Sequence, residues 1–246
     1  MSKLYVDAIE PEGGTTTLTL GASGDTISIP AGATIANSGT ASGFSAGFER
    51  QVVHTSSTSA GGYTPNSGVT KIMVELLGAG GGGSHYTSHG PAVNSGAGGG
   101  YVRKTLTVVS TDTMTVTIGA LGAAGGTNSP GSAGGDTTFA SVSGTSFTTL
   151  TAGGGGGGSV VDYTPGVSGT ATGGDLNVVG APGRTQNMGG AEGVDSPYGY
   201  GGSASATSIT IPVNNGTGYG SSGGGASDSG TTGSGAAGLC IITEYK

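Results

Sequence analysis

The stretch Ala152-Gly153-Gly154-Gly155-Gly156-Gly157-Gly158 carries no side chain larger than a methyl, so it can bury nothing by apolar packing. Glycine-dominated runs recur at residues 78–83, 96–100, 199–202, 223–225 and 233–238. Such a run is either a flexible linker or an extended helix of the polyproline II kind, with three residues per turn and amides that all point outward. Alone in water the helix gains little. Packed beside other runs, each outward N–H and C=O can pair with a neighbour, as buried backbone requires. The choice between these two states decides the fold.

Glycine supplies 57 of 246 residues and charged residues only 9%, against usual shares of roughly 7% and 25%. Glycine-rich chains without a strict period are commonly disordered. Collagen is excluded, because no Gly-X-Y register is kept and the nine prolines are scattered. Each ordered glycine costs roughly 0.5–1 kcal/mol relative to alanine. An ordered structure therefore needs a dense hydrogen-bond lattice, oligomerisation, or both.

The net charge is −7, with seven Lys and Arg in all, so phosphate-driven binding to nucleic acid is not expected. No apolar stretch of about 18 residues is present, and membrane insertion is not expected. The opening Met1-Ser2-Lys3-Leu4-Tyr5-Val6-Asp7 lacks the apolar core of a signal peptide. Cys240, the lone cysteine, stands among Leu239, Ile241 and Ile242 and reads as a small buried hydrophobe.

Residues 1–43 hold short alternating runs, Thr17-Leu18-Thr19-Leu20 and Thr26-Ile27-Ser28-Ile29, divided by turn residues. Strands this short do not build a core alone. The segment fits a stalk of wrapped chains, a docking module, or a tail lying on a neighbour. Residues 44–57 form a strand with Phe48, Arg50 and Val52 on one face. Residues 70–77 are a buried strand that runs directly into the first glycine run. Residues 101–109 and 114–118 pair as a hairpin through Ser110-Thr111-Asp112. Further strands are expected at 137–142, 146–152 and 208–213. Residues 238–245 are as apolar as 70–77, and the two are expected to be neighbours at the centre of a sheet. No segment holds helical periodicity for three turns. The class is all-β.

The runs leave strand ends: Leu77 into Gly78, Ala152 into Gly153, and 233–238 into Leu239. Six glycines at about 3.1 Å each span roughly 19 Å, the length of an ordinary strand. Each run can therefore cross a whole layer. Residues 84–95, 159–172 and 186–197 would then be loops displayed from a glycine slab.

These features resemble the glycine-rich domain of bacteriophage tail-fibre and related virion proteins. The likeness rests on the order of several motifs: Lys71-Ile72-Met73-Val74-Glu75-Leu76-Leu77 opening into 78–83, Gly99-Gly100-Tyr101-Val102, Val116-Thr117-Ile118-Gly119, Gly134-Gly135-Asp136 with Phe139, and the closing Leu239-Cys240-Ile241-Ile242-Thr243-Glu244-Tyr245. It covers about residues 48–246. Tyr5-Val6-Asp7-Ala8-Ile9 and residues 24–39 look like the N-terminal part of marine phage fibre proteins. The family often carries Trp or further aromatics before the first glycine run, and this chain has none. The resemblance implies glycine runs folded as polyglycine II bundles, with receptor-binding loops at one end.

Candidate contact residues lie between the runs. His85, Tyr86 and His89 fall in one loop. A metal shared about a symmetry axis, an exposed contact loop and a plain solvated loop are all open readings for it. Asp162, Tyr163, Tyr198, Tyr200 and Tyr219 sit in other loops, where Tyr among Gly, Ser and Asn is the composition of adaptable recognition surfaces. Loop tyrosines that merely cap the slab are the plain alternative. Carboxylates are scattered singly, no nucleophile–base pair is visible, and no glycine run continues into Gly-Lys-Ser or Gly-Lys-Thr. No enzyme activity and no cofactor are expected.

The expectation is a two-part chain. Residues 1–47 dock on the virion or form a stalk, and residues 48–246 form a β-sandwich with polyglycine II-like segments. The expected role is a homotrimeric tail fibre or adhesin of the virion tail, bound to other tail proteins through the N-terminal segment and to a host-surface glycan or protein through its loops. A head or neck fibre without receptor contact and a secreted bacterial surface-matrix protein are the alternatives.

Overall fold

The computed structural model describes residues 47–87, 93–161, 163–186, 189–205 and 214–246. Among them there is no helix, and the strands are β1 (Phe48–His54), β2 (Lys71–Leu77), β3 (His85–Tyr86), β4 (Val93–Asn94), β5 (Tyr101–Thr107), β6 (Thr113–Thr117), β7 (Thr137–Ser143), β8 (Leu150–Ala152), β9 (Ala171–Thr172), β10 (Leu176–Val178), β11 (Thr185–Gln186), β12 (Ala226–Ser227) and β13 (Leu239–Tyr245). The expected strand at 208–213 and the N-terminal segment through residue 46 lie outside the described residues.

Two antiparallel sheets pack face to face, one in the order β1-β13-β2-β5-β10 and the other in the order β6-β7-β8-β9. Period-two alternation places Ile72, Val74 and Leu76 of β2, Val102 and Leu106 of β5, and Cys240 and Ile242 of β13 on one inner face. Met114, Val116, Phe139 and Leu150 supply the other. The two most apolar strands, β2 and β13, pair over their full length from Leu77↔Leu239 to Lys71↔Tyr245, so they do sit side by side inside the sheet.

The expected hairpin between β5 and β6 does not form. The two strands belong to different sheets, so the link between them is an arch across the core. Leu106 and Val108 on one side and Met114 and Val116 on the other are all buried in the same core, facing it from opposite sheets. Asp112 holds the arch. Its carboxylate accepts the N–H of Val109 at 3.0 Å and that of Thr145 at 2.9 Å. Burial pushes this carboxyl up, but those donors outweigh it and leave it below its ordinary value.

At the end of the sandwich away from the glycines, Glu244 points inward and is fully buried. Arg50 on β1 meets it with two N–H donors at 2.8 Å, and the Tyr63 hydroxyl donates to it at 2.9 Å. Burial raises the carboxyl, yet Arg50, Tyr63 and the Asn66 N–H together hold it below the ordinary carboxylate range. Tyr63 in turn stands edge-on to Phe139, which stacks on Phe147.

The strands run straight on into glycine segments. The N–H groups of residues 78–84 donate in order to the carbonyls of Gly100, Gly135, Ala236, Ala97, Ser132, Gly233 and Asn94, at 2.9–3.1 Å. The carbonyls of residues 79–84 accept in order from Gly155, Gly122, Gly223, Gly158, Gly125 and Ala226, at 2.8–3.0 Å. The partner segment therefore repeats every third residue, as a helix of three residues per turn dictates. Segments 94–100, 131–135 and 233–236 run antiparallel to the central one and accept from it. Segments 119–125, 153–158 and 220–226 run parallel to it and donate to it. The ring closes through Ala97 N–H to Gly156, Gly134 to Gly155, Ser132 to Ala123, Gly235 to Gly122, Ala236 to Ser221 and Gly96 to Gly223. This is an ordered polyglycine II lattice, and it decides the choice posed by residues 152–158 in favour of the helix.

Glycine is required here by close approach. A Cβ on Gly80 would lie 1.8 Å from the Ser221 carbonyl oxygen, and one on Gly82 would lie 1.9 Å from that of Ala123. The lattice has three layers. Segments 233–238, 78–84, 94–100 and 180–183 extend β13, β2, β5 and β10, while 119–125, 131–136, 153–158 and 166–170 extend or lead into β6, β7, β8 and β9. A third layer, 190–194, 201–205, 214–216 and 220–226, covers the first through bonds such as Gly223 N–H to Gly81 and Ala236 N–H to Ser221.

Two of the expected display loops are thus largely lattice. Residues 166–172 and 190–195 are threefold or paired backbone, with Gly166 and Gly169 donating to Ser95 and Gly98, and Gly193 donating to Gly202. Their glycines stand three apart, so only one residue in three has to meet a neighbouring backbone. The expected strand at 146–152 shrinks to Leu150–Ala152.

Candidate functional site

The lattice has two ends, and the sequence-predicted contact residues divide between them. At the far end the central segment leaves the lattice at Ser84 and passes into β3. His85 and Tyr86 are half-buried there, not free in solvent. The parallel pair Ala226↔His85 and Ser227↔Tyr86 fixes their backbone. The His85 imidazole Nε2 donates to the Asp228 carbonyl at 3.1 Å, and the Asp228 N–H donates to the Tyr86 carbonyl at 2.7 Å. Thr87 donates its N–H and its hydroxyl to Asn128 Oδ1, at 2.9 and 3.0 Å.

Asn128 and Asp228 are, among the described residues, the non-glycine ones with positive φ, 53° each. Asn and Asp tolerate that left-handed conformation better than other side chains, and here one sits on either side of residues 85–87. Tyr163 belongs to the same end. The Ser159 carbonyl before it accepts the Asn94 amide at 2.8 Å, and Tyr163 itself is 57% exposed. His89 and Asp162 lie outside the described residues. Among the described residues no group of three or more His, Cys, Asp or Glu could hold a metal ion.

The second group lies at the opposite end of the lattice, where the third layer stops above the outer face of the β2 sheet. Residues 195–200 and 217–219 form a small paired knob. The Tyr219 N–H donates to the Tyr198 carbonyl at 3.1 Å, and the Thr217 N–H to the Tyr200 carbonyl at 2.9 Å. The Ser196 hydroxyl donates to the Tyr219 carbonyl. Gly218, at φ +70°, is needed because a Cβ there would meet the Tyr198 carbonyl oxygen at 2.1 Å.

Tyr198 is not a free contact residue. It lies beside the Glu75 carboxylate of β2, whose charge acts on its phenol, and that carboxylate takes the Tyr101 hydroxyl. Burial, then Glu75, raises both phenols. Tyr200 stands in contrast at 77% exposed. A cleft of about 390 Å³ opens beside it, lined by residues 195–200 with Thr217 and Gly218.

Sequence reasoning named Tyr198, Tyr200 and Tyr219 and missed Glu75, Asp195, Asn128 and Asp228. Glu75, a charge alternating with Val74 and Leu76 in an otherwise apolar strand, was the available signal for an occupied outer face. Asn128 and Asp228 lie inside the turns 126–129 and 227–230 and carried only turn chemistry.

A family model described as a glycine-rich domain matches residues 54–245. No curated protein matches the chain.

Proposed function

The chain belongs to the glycine-rich domain family, and we propose that it serves as a structural protein of a bacteriophage virion, a tail fibre or adhesin that presents loops to the host surface. The observation that carries this reading is polarity. Gly47 and Lys246, which are bonded to each other, lie at the strand end of the sandwich, while His85, Tyr86, Asn128, Tyr163 and Asp228 gather at the opposite end of the lattice. A domain held at one end and decorated at the other suits attachment. Residues 1–47 would join it to tail proteins. Three copies would multiply weak contacts through effective concentration.

The test is attachment of the purified protein to host cells. Wild type should bind and Tyr86→Ala with Tyr163→Ala should bind at least about 10-fold more weakly. No attachment, with the protein found at capsid vertices, would reject the adhesin reading in favour of a head fibre. Light scattering should give a trimer, and a monomer at micromolar concentration would count against the stalk.

A further inference from the structure

We infer that the cleft between residues 195–200 and 217–218 is a binding site for a neutral pyranose sugar. The inference deepens the attachment reading by placing a ligand site at the end of the lattice away from the tip loops. The cleft's volume of about 390 Å³ is at the small end of ligand sites, which run from about 300 to 1,000 Å³. It therefore suits one ring and not an extended chain.

Its floor is built before any ligand arrives. The paired backbones of Tyr198, Tyr200, Thr217 and Tyr219 hold the aromatic wall in place. Exposing the Tyr200 ring to 77% leaves apolar area in water for no folding gain. Its π-face, which carries negative charge density, is offered to a partner with positively polarised C–H groups. A pyranose face provides these.

The charge narrows the ligand further. Asp195 is the one ionisable acid lining the cleft, and no Lys, Arg or His lines it. Its Oδ1 accepts the Gly201 N–H at 2.8 Å, which aims the carboxylate. A carboxylate accepts from the paired hydroxyls of a sugar and repels an acidic one. The Ser196 and Thr217 hydroxyls and the backbone around Gly199 complete a polar rim. Neutral hexoses fit this set. Uronic and sialic acids and phosphates do not.

NMR titration of the full chain with methyl glycosides of glucose, galactose, mannose and N-acetylglucosamine tests this, with glucuronate and N-acetylneuraminate as the acidic probes. At least one neutral glycoside should shift the resonances of Gly199, Tyr200 and Gly218, with a Kd of about 1 mM for a single ring. The acidic probes should not. Tyr200→Ala should weaken binding about 10-fold and Tyr200→Phe less than about 2-fold. Asp195→Asn, which keeps an oxygen for Gly201, should also weaken it about 10-fold.

No shift from any neutral glycoside at about 50 mM, equal binding by Tyr200→Ala, or equal binding of the acidic probes would overturn the site. So would cell attachment that needs Tyr86 but not Tyr200, in a protein that takes up no glycoside. Glycoside binding by a protein that attaches to no cell would uphold the cleft and overturn the attachment reading instead.

Discussion

Residues 71–77 and 78–84 are one continuous line of chain, yet they are held by different physics. In β2 each residue has neighbours in one plane, alternate side chains point inward, and the facing sheet stands about 10 Å away with side chains filling the gap. Ile72, Val74 and Leu76 supply that filling. One residue further on the side chains end, the period changes from two to three, and backbone meets backbone in every direction. Gly155, from the opposite layer, donates its N–H directly to the Ala79 carbonyl at 2.8 Å.

The sandwich half is stabilised by apolar area removed from water. The lattice half has little such area and relies on close packing and on a net gain of roughly 0.5–1.5 kcal/mol per hydrogen bond. The two halves therefore differ in what they tolerate. A core side chain can lose a methyl and leave a cavity. Most lattice glycines cannot gain one.

The sharpest way to break this contrast is Gly82→Ala. Its new methyl would meet the Ala123 carbonyl oxygen at 1.9 Å, on backbone fixed by neighbours all round. The expected cost exceeds about 4 kcal/mol, read as loss of soluble folded protein or collapse of the denaturation midpoint. Milder loss than that from a core truncation would mean the lattice can breathe. Phe139→Ala in the sandwich core should cost about 3–5 kcal/mol and leave a folded protein with a lower midpoint.

Next comes Arg50→Ala, which leaves the buried Glu244 with Tyr63 and the Asn66 N–H as its remaining partners. About 2–3 kcal/mol is expected at neutral pH. Because Glu244 is held below its unfolded pKa of about 4.3, its contribution is complete above that pH. It is lost as pH falls through the lower folded value. Melting temperature against pH should therefore fall less steeply on the acid side in Glu244→Gln than in wild type, and parallel curves would dismiss the ion pair.

The smallest effect belongs to Gly126→Ala. That residue lies at the lattice edge with nothing within 4 Å of a new Cβ and no positive φ. A gain of about 0.4–1 kcal/mol is expected from the unfolded chain. Native-state hydrogen exchange gives the same contrast without mutation. Gly81 and Gly82 should exchange as slowly as Val74, while Gly126 exchanges fast.

Much of this frame was legible in residues 71–77 and 239–245, whose unbroken apolar character marks strands inside a sheet. The ordered state of residues 153–158 followed from their length and their exit from a strand. The period-three spacing at 166 and 169, 180 and 183, and 190 and 193 was there to be read as well. It is a weak signal because a peripheral threefold helix presents only every third residue to its neighbours, and only the central segments need unbroken glycine runs. The arch at 107–113 was less accessible. Alternating Leu106 and Val108 followed by Met114 and Val116 fit a hairpin and an arch equally, since both put those side chains on a buried face.

The candidate site was legible only as a set of loop tyrosines. Nothing in the sequence separates Tyr86 and Tyr163 from Tyr198 and Tyr200, because the lattice that sets the two groups at opposite ends is a long-range arrangement. Likewise Tyr198 and Tyr200 are two residues apart and chemically alike. One lies beside Glu75, 123 residues away in sequence, and the other is left in solvent.

The amino-acid sequence by itself determined the all-β class, the strands at the centre of the sheet and the presence of segments that can pack only through their backbone. These follow from local properties, the alternation of apolar side chains and the absence of any side chain. The tertiary structure alone decided which segment lies at the centre of the ring, which strands face each other across the core and which tyrosine stays exposed. Glycine carries no side-chain information to choose its partners, so the choice falls to the strands that deliver each run into the lattice and to the order in which the sheets pair them.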